Sequence, residues 1–161
     1  MSKTEADAPI VFEPEFTDGL RHIWHDLIIF NKTLGLELTD ITPNSVTAKL
    51  MMRHELVGHY AHNRIHGGVI SAGLDAAGGL AVMAAIGARH MDEPVAKRLD
   101  RFKYLGTIDL RVDYLRPGIG EWFTLHAEVM RLGSRVANTR MEFRGADGKL
   151  LSTGSAAYIV S

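Results

Sequence analysis

The spacing of apolar positions predicts two helices in this chain. Between residues 17 and about 35, apolar side chains recur with the i, i+3, i+4, i+7 spacing of one helix face. They are Leu20, Ile23, Trp24, Leu27 and Ile28. Thr17 or Asp18 is the expected N-cap, because short polar side chains accept a hydrogen bond from the free backbone N–H groups of a first turn.

The second predicted helix, from about residue 67 to 88, is the stretch around which the rest of the chain is organised. It is rich in Ala and Gly, contains no Pro and has apolar residues on all sides, which is typical of a buried helix. At 1.5 Å per residue it would be roughly 30 Å long. Its interior glycines, Gly73, Gly78 and Gly79, each cost roughly 0.5–1 kcal/mol relative to alanine, so we expect another backbone to pass close by.

Alternation of apolar and polar residues predicts strands on both sides of this helix. The expected strands are 36–41, 46–52, 107–116, 122–131, 135–144 and 149–160. Asp147-Gly148, before the last strand, suits the tight turns of hairpins. Between these elements we expect an irregular connector at 53–68, leading into the long helix, and after that helix a charged loop with a helical turn following Pro94.

These elements predict an α+β fold in which a curved antiparallel sheet of about five or six strands wraps around the long central helix, with the N-terminal helix beside it. We expect residues 1–161 to form a single domain, with 1–13 as a loose lead-in. Such a domain would leave one edge of its sheet open, and pairing of edges in a homo-oligomer would cover it.

Composition excludes several classes of function. The 161 residues carry a net charge of −1, which gives no overall electrostatic attraction to nucleic acid. The absence of Cys excludes disulfides and thiolate catalysis. The first residues lack the apolar segment of a secretory signal, and the glycines, Ser71 and Asp75 interrupt the second helix, so we expect no membrane insertion. The prediction is a soluble, cytoplasmic protein.

Asp75 and the start of the second helix carry the candidate chemistry. A carboxylate in an apolar helix is costly to bury unless it is paired or used. The first turn of a helix leaves N–H groups unpaired at the positive end of the helix dipole. Because Gly67 and Gly68 place no side chain over these donors, a developing oxyanion could be stabilised there. The simpler alternative is that His66 caps the helix and the glycines only relieve crowding.

Two longer motifs give the chain a family resemblance. They are H-G-G-V-I-S-A-G-L-D-A-A-G-G at 66–79 and G-T-I-D-L-R-V-D-Y-L-R-P-G at 106–118, followed by the closing strand through G-S-A-A-Y-I-V. With these motifs the chain resembles the hotdog-fold thioesterases of the PaaI (phenylacetate-degradation) type, over nearly everything from about residue 34 to 160. The resemblance implies a hotdog fold and hydrolysis of acyl-CoA thioesters.

The resemblance also implies roles for four residues. The backbone N–H matching Gly67 polarises the thioester carbonyl, and the carboxylate matching Asp75 acts from the partner subunit as general base or nucleophile. The hydroxyl matching Thr107 helps to orient the attacking group, and the position matching His66 lines the site. We therefore expect a homodimer or homotetramer with active sites shared between subunits.

The residue spacing agrees with a shared site. Asp75 lies eight residues after Gly67, which is roughly 12 Å along a helix axis. One helix could not bring its own Asp75 onto a carbonyl held by its own Gly67. Two antiparallel helices could do so across a subunit interface, and the interior glycines would let them lie close together.

Substrate binding is assigned to further residues near these motifs. Gly68 adjoins the expected carbonyl site. Where relatives often carry Asn or Gln six or seven residues before the His, this chain has Tyr60 and His59, and either could donate a hydrogen bond. The phosphates of CoA call for a basic site mouth, for which arginine forks are suited. The basic candidates are Arg116, Arg131, Arg135 and Lys103.

The acyl chain would lie along the apolar helix and the interior of the sheet. Candidate lining residues from both helices are Trp24, Leu27, Ile28 and Met83. The sequence leaves open whether the acyl group is aryl, medium-chain or long-chain. No cofactor is expected: His59, His62 and His66 imitate a metal-ligand spacing but lack a nearby acidic or Cys partner.

An acyl-CoA thioesterase is the prediction, because Gly67, Asp75 and Thr107 all match the family pattern. Two other functions stay open. A hotdog-fold hydratase or dehydratase acting on acyl thioesters would need a catalytic His paired with an acidic residue. A non-catalytic acyl-CoA binding or regulatory protein would use the same helix-start amides, but Asp75 would be dispensable.

Overall fold

The structure, a computed structural model, describes residues 9–161. Four α-helices lie within this range, and the third is the longest. They are α1 (Pro14–His22), α2 (Ile29–Leu34), α3 (Gly67–Arg89) and α4 (Val95–Asp100). The predicted helix at 67–88 is α3, so its bounds differ from the expectation by one residue.

A six-stranded antiparallel sheet packs against α3, and a small two-stranded sheet lies before the helix. The strands of the large sheet are β1 (Leu36–Ile41), β2 (Ser45–Met51), β5 (Gly106–Tyr114), β6 (Trp122–Leu132), β7 (Val136–Gly145) and β8 (Leu150–Ile159). The small sheet pairs β3 (Val57–His59) with β4 (Arg64–Ile65). The large sheet has the order β1-β2-β6-β7-β8-β5. This architecture confirms the predicted α+β fold.

The core lies between α3 and the sheet. Leu74, Leu80 and Met83 of the helix are fully buried, as are Phe123 of β6 and Phe143 of β7, whose rings stack with centroids 4.9 Å apart. Burying each such side chain contributes about 1.5–3 kcal/mol. By length and composition α3 could cross a membrane, but 67% of its most apolar stretch is buried inside the protein. It is therefore the core helix of the fold.

The interior glycines of α3 differ from the expectation. They receive side chains of the protein's own sheet rather than another backbone. A methyl group at Gly73 would overlap Leu125, and one at Gly78 would overlap the hydroxyl of Tyr158. Since both glycines face the sheet, the expectation that they line a close helix–helix contact is wrong for these two positions.

The N-terminal helix also departs from the prediction. It begins at Pro14 rather than after Thr17, because Pro fits the first turn of a helix, and Glu13 is its N-cap. A π-helical turn, Ile23–Leu27, follows α1, and Ile28 leaves the helical region with φ −86° and ψ 87°. The helical path resumes as α2 and ends, as predicted, at Gly35, whose positive φ of 75° suits glycine.

Two contacts hold this interrupted helical segment in place. The indole N–H of Trp24 donates to the carbonyl oxygen of Leu36 (2.9 Å), and the side-chain amide of Asn31 donates to the carbonyl oxygen of Trp24 (3.4 Å). Of the predicted lead-in, residues 1–8 lie outside the described residues. Glu13 is anchored by an ion pair with the buried Arg98 (2.6 Å).

The charged segment after α3 is more ordered than the predicted loop. After α4, a 3₁₀ turn, Arg101–Tyr104, leads into β5. Arg101 and Lys97 donate hydrogen bonds to Glu93 and hold the pKa of its carboxyl at about 2. This clamp ties the two ends of the segment together and sets Phe102 and Leu105 beside α3.

The last strand in the sheet order, β5, has an open edge. It pairs with β8 on one side, and its other side has no strand partner among residues 9–161. An irregularity between Thr107 and Asp109 shifts its register, and Ile108, at this irregularity, is exposed. Tyr114, the last residue of the strand, is also about half exposed. An open edge with exposed apolar side chains is a surface that another strand can cover.

Candidate active site

Asp75 lies on the third turn of α3, where it is partly buried. The hydroxyl of Thr107, at the start of β5, donates a hydrogen bond to its carboxylate Oδ1 (2.9 Å). Within residues 9–161 the carboxylate forms no salt bridge. The structure thus brings together two of the predicted site residues and leaves the charge of Asp75 without a basic partner.

The carboxylate opens into a cleft of about 260 Å³, which we call the acyl cleft. Its walls come from α2 and the residue before it, from α3, from the start of β5 and the segment before it, and from β8. The lining residues are Ile28, Phe30, Asn31, Ala72, Asp75, Ala76, Gly79, Leu80, Phe102, Leu105, Gly106, Thr107 and Tyr158. Most of these are apolar, which suits a hydrocarbon chain.

The predicted lining residues are only partly those of the acyl cleft. Ile28 is among its lining residues, whereas Trp24 and Met83 are fully buried in the core. Leu27 is exposed to 61%. The break at Ile28 accounts for this, because a continuous helix would have kept Leu27 and Ile28 on the same buried face.

Tyr158 forms the floor of the cleft beside Asp75. Its side chain is 1% exposed, and its hydroxyl donates to the backbone carbonyl oxygen of Asp75 (3.0 Å). Burial raises the pKa of the Tyr158 phenol, and the neighbouring negative charge of Asp75 raises it further. The phenol therefore stays protonated and acts as a hydrogen-bond donor.

The start of α3 presents one free backbone donor. His66 is the N-cap, and its ring Nδ1 accepts a hydrogen bond from the N–H of Gly68 (2.8 Å). The carbonyl oxygen of His66 accepts from Val69 and Ile70. The N–H of Gly67 has no acceptor among the described residues. The cap by His66 and a free donor at Gly67 thus occur together, and Gly68 uses its amide within the protein.

A second hollow, of about 380 Å³, lies at this helix start, and we call it the basic groove. Its lining residues are Arg64, Ile65, Gly67, Ile70, Tyr114, Leu115, Arg116, Pro117 and Gly118. The hydroxyl of Tyr114 donates to the carbonyl oxygen of Gly67 (2.8 Å), and Arg116 donates to the carbonyl oxygen of Leu150 (3.0 Å). Two arginines beside a free amide and a helix N-terminus make this groove suited to anionic groups.

The acyl cleft and the basic groove are separate on one protomer, and β5 runs past both. Thr107 at the start of β5 contacts Asp75, and Tyr114 at its end contacts Gly67. Asp75 and Gly67 are eight residues apart on α3, about 12 Å along its axis. A carbonyl held at the Gly67 amide is therefore out of reach of the Asp75 carboxylate of the same chain.

The remaining predicted binding residues lie outside both hollows. His59 and Tyr60 belong to the β3–β4 region, where the rings of His59 and His62 stack with centroids 4.9 Å apart and Tyr60 is 93% exposed. Arg131 and Arg135 flank the β6–β7 turn, which Arg89 contacts at the C-terminal end of α3. They are thus at the opposite end of the helix from Arg116.

Lys103 forms an ion pair with Asp100, which raises the pKa of its ammonium group. Its ammonium group is therefore paired with Asp100, the last residue of α4. It follows Phe102, a residue of the acyl cleft, but its own side chain is not among those that line the cleft.

Several residues of the two hollows are absent from the sequence-based prediction. They are Arg64, Asn31, Phe102, Leu105 and Tyr158. Arg64 stands two residues before His66, so a basic residue next to the H-G-G motif was a usable signal. Tyr158 is the only aromatic residue of β8 and alternates with buried Ala156 and Gly154. Nothing in local spacing indicates that Phe102 and Leu105 reach α3, because the ion pair of Arg101 with Glu93 holds their segment in place.

The chain has relatives among known proteins. A family model described as "Thioesterase superfamily" matches residues 62–152, more than half of the chain. The medium/long-chain acyl-CoA thioesterase YigI of Escherichia coli (strain K12) is 37% identical over 134 residues, which cover 81% of this chain and 84% of that protein. The protein of the same name from Salmonella typhimurium is 38% identical over the same coverage.

A solved structure agrees with these sequence matches. A Shewanella oneidensis protein related to the thioesterase superfamily superposes with a TM-score of 0.86 and 34% sequence identity. The superposition covers 93% of this chain and all of that one. Together with the helix-wrapping sheet, these matches establish that the chain belongs to the thioesterase superfamily, which has the hotdog fold predicted from the sequence.

Proposed function

We propose that this protein is an acyl-CoA thioesterase that hydrolyses medium- or long-chain acyl-CoA to a free fatty acid and CoA. The observation that carries the proposal is the unpaired carboxylate of Asp75, held by Thr107 at the wall of an apolar cleft. The printed activity of the YigI relatives, and the mainly apolar lining of the cleft, support a hydrocarbon acyl group.

In the proposed reaction the Gly67 amide donates to the thioester carbonyl oxygen, where negative charge develops in the transition state. The Asp75 carboxylate takes a proton from water as the water oxygen bonds to the carbonyl carbon. The carbon–sulfur bond then breaks, and the departing thiolate receives that proton. The alternative in which the Asp75 carboxylate attacks the carbon directly uses the same residues.

The site needs two copies of the chain. Asp75 and Gly67 of one protomer cannot act on one carbonyl, and the open edge of β5 offers a way to combine two protomers. If two β5 strands pair antiparallel about a two-fold axis near Leu110, the start of one strand faces the end of the other. The Thr107 and Asp75 of one protomer then approach the Tyr114 and Gly67 of the partner subunit.

The basic groove suits the other half of the substrate. CoA carries a pyrophosphate and a ribose phosphate, and Arg64 and Arg116 supply charged donors beside the Gly67 amide. Each active site would then combine the acyl cleft of one protomer with the basic groove of its partner. No histidine lines the acyl cleft within the described residues, which argues against the hydratase or dehydratase alternative.

The test is hydrolysis of acyl-CoAs of increasing chain length, followed by thiol release, with the wild type and Asp75→Asn. We expect turnover by the wild type with medium- and long-chain substrates. We expect kcat to fall about 10²- to 10⁴-fold in Asp75→Asn, the usual contribution of a general base. Asp92→Asn, an exposed carboxylate just after α3, is the matched control and should keep full activity.

Thermal unfolding and acyl-CoA binding should be retained in Asp75→Asn. Unchanged turnover in this variant would instead favour a protein that binds acyl-CoA without hydrolysing it. Lack of hydrolysis by the wild type on every chain length would overturn the proposed activity.

A further inference from the structure

The acyl cleft contains a buried titratable side chain that the proposed reaction does not use. Among the residues that line the cleft, Asp75 and Tyr158 are the two with titratable side chains. Tyr158 lies on β8, is 1% exposed, and directs its hydroxyl at α3 instead of at solvent. A buried phenol at this place is costly unless its hydroxyl has a partner.

The partner is the turn of α3 that carries Asp75. The Tyr158 hydroxyl donates to the Asp75 carbonyl oxygen (3.0 Å), while the Thr107 hydroxyl donates to the Asp75 carboxylate (2.9 Å). Thr107 and Tyr158 are directly paired across β5 and β8. Two neighbouring hydroxyls of the sheet thus hold the backbone and the carboxylate of the same residue.

The helix is shaped to admit this contact. A methyl group at Gly78 would overlap the Tyr158 hydroxyl and approach Met141 Sδ within 2.8 Å. A glycine inside a helix destabilises it by about 0.5–1 kcal/mol relative to alanine. The space for the phenol therefore comes at the expense of helix stability. The burial that raises the pKa of Tyr158 keeps the phenol protonated and able to donate.

We propose that Tyr158 is a positioning residue: its hydroxyl fixes the turn of α3 that bears Asp75, so that the carboxylate stays on Thr107 and faces the thioester. The proposal rests on the proposed thioesterase activity. Tyr158 acts through Asp75 and makes no contact with the reacting atoms. Its removal should therefore change the catalytic step more than substrate binding.

The primary variant is Tyr158→Phe, which keeps the ring and removes the donor. We expect kcat to fall about tenfold, as for the loss of one well-aligned hydrogen bond, with KM within twofold of the wild type. Ser152→Ala is the matched control, because Ser152 is a buried hydroxyl on the same strand with no hydrogen-bond partner among the described residues. This control should keep the wild-type kcat.

A double variant separates positioning from a general structural role. In an Asp75→Asn background, Tyr158→Phe should lower the residual rate, corrected for hydrolysis in buffer, by less than twofold. A positioning effect needs the Asp75 carboxylate. General damage to the site would instead lower the rate by the same factor with and without that carboxylate, and it would raise KM. Gly78→Ala displaces the phenol from the helix side and should reproduce the kcat-selective loss if Tyr158→Phe does not fold.

The proposal is overturned if Tyr158→Phe keeps the wild-type kcat, or if its loss is the same in the Asp75→Asn background. The failure of the proposed function has a different signature. In that case Asp75→Asn alone would leave hydrolysis unchanged, whatever Tyr158→Phe does.

Discussion

The acyl cleft and the basic groove lie along the same helix but have opposite characters. The cleft is walled mainly by apolar side chains, and its chemistry comes from the Asp75 carboxylate with two hydroxyls beside it. The groove has two arginines, and its chemistry comes from the backbone N–H of Gly67 at the positive end of the helix. In the proposed mechanism, one hollow would supply a base and an apolar wall, and the other would supply donors for negative charge.

In our proposal, this difference divides thioester hydrolysis between two separate parts of the fold. A carboxylate and an oxyanion donor must face the same carbonyl, yet α3 separates them by about 12 Å. The separation prevents the two groups from pairing within one chain. Two-fold pairing of β5 would place the unlike halves together, so the enzyme would acquire a complete site only on assembly.

Among substitutions in the basic groove, we expect Gly67→Pro to lower kcat the most. Gly67 is the first residue of α3, and His66 before it has φ −68° and ψ 133°, a conformation that a residue preceding Pro adopts readily. Proline thus removes the N–H with little change to the backbone. We expect kcat to fall about 10²- to 10³-fold, as for the loss of one oxyanion donor. Steady-state thiol release measures it.

Gly67→Ala is the control for the added side chain. It retains the N–H and places its methyl group 3.2 Å from the Tyr114 ring, which is half-exposed and can shift. If Gly67→Ala and Gly67→Pro reduce kcat equally, the backbone N–H of Gly67 does not act as a hydrogen-bond donor in catalysis. The proposed contrast between the two hollows would then be wrong.

A smaller effect is expected from the charges of the groove. Replacing both Arg64 and Arg116 by Gln should raise KM for acyl-CoA about tenfold, because charge-assisted hydrogen bonds to phosphate are lost. With an acyl-pantetheine thioester, which lacks the nucleotide phosphates, KM should not change. Arg140→Gln, at an exposed ion pair with Glu128, is the control. An equal rise in KM for both substrates would place the nucleotide elsewhere.

The regular helices and strands were predictable because the spacing of apolar residues along the sequence differs between a helix and a strand. The central helix and the six strands of the large sheet follow from apolar spacing with boundaries within about two residues, because one face of each packs against the core. The short strands β3 and β4 lie in the stretch that was predicted as an irregular connector, so that part of the prediction was wrong. The N-terminal helix was less predictable. Its break at Ile28 depends on contacts of Trp24 with Leu36 and Asn31, which only the folded structure brings together.

The candidate site divides in the same way. The pairing of Asp75 with Thr107 follows from two motifs and a family resemblance, although 32 residues separate them in the sequence. The glycines of α3 signalled close packing, but sequence could not tell whether a backbone or a side chain would occupy the space. Tyr158 was missed for that reason, because its role depends on a register between β5 and β8.

Complementation between two inactive variants tests the shared site most directly. Asp75→Asn and Gly67→Pro chains are unfolded together and refolded as a mixture, with each variant refolded alone as the reference. In a mixed dimer one of the two sites receives the intact Asp75 of one chain and the intact Gly67 of the other. Because about half of the dimers in a random mixture are mixed, the mixture as a whole should recover about a quarter of the wild-type activity. Activity no higher than that of the separate variants, in a mixture that forms mixed dimers, would contradict an active site built from two chains.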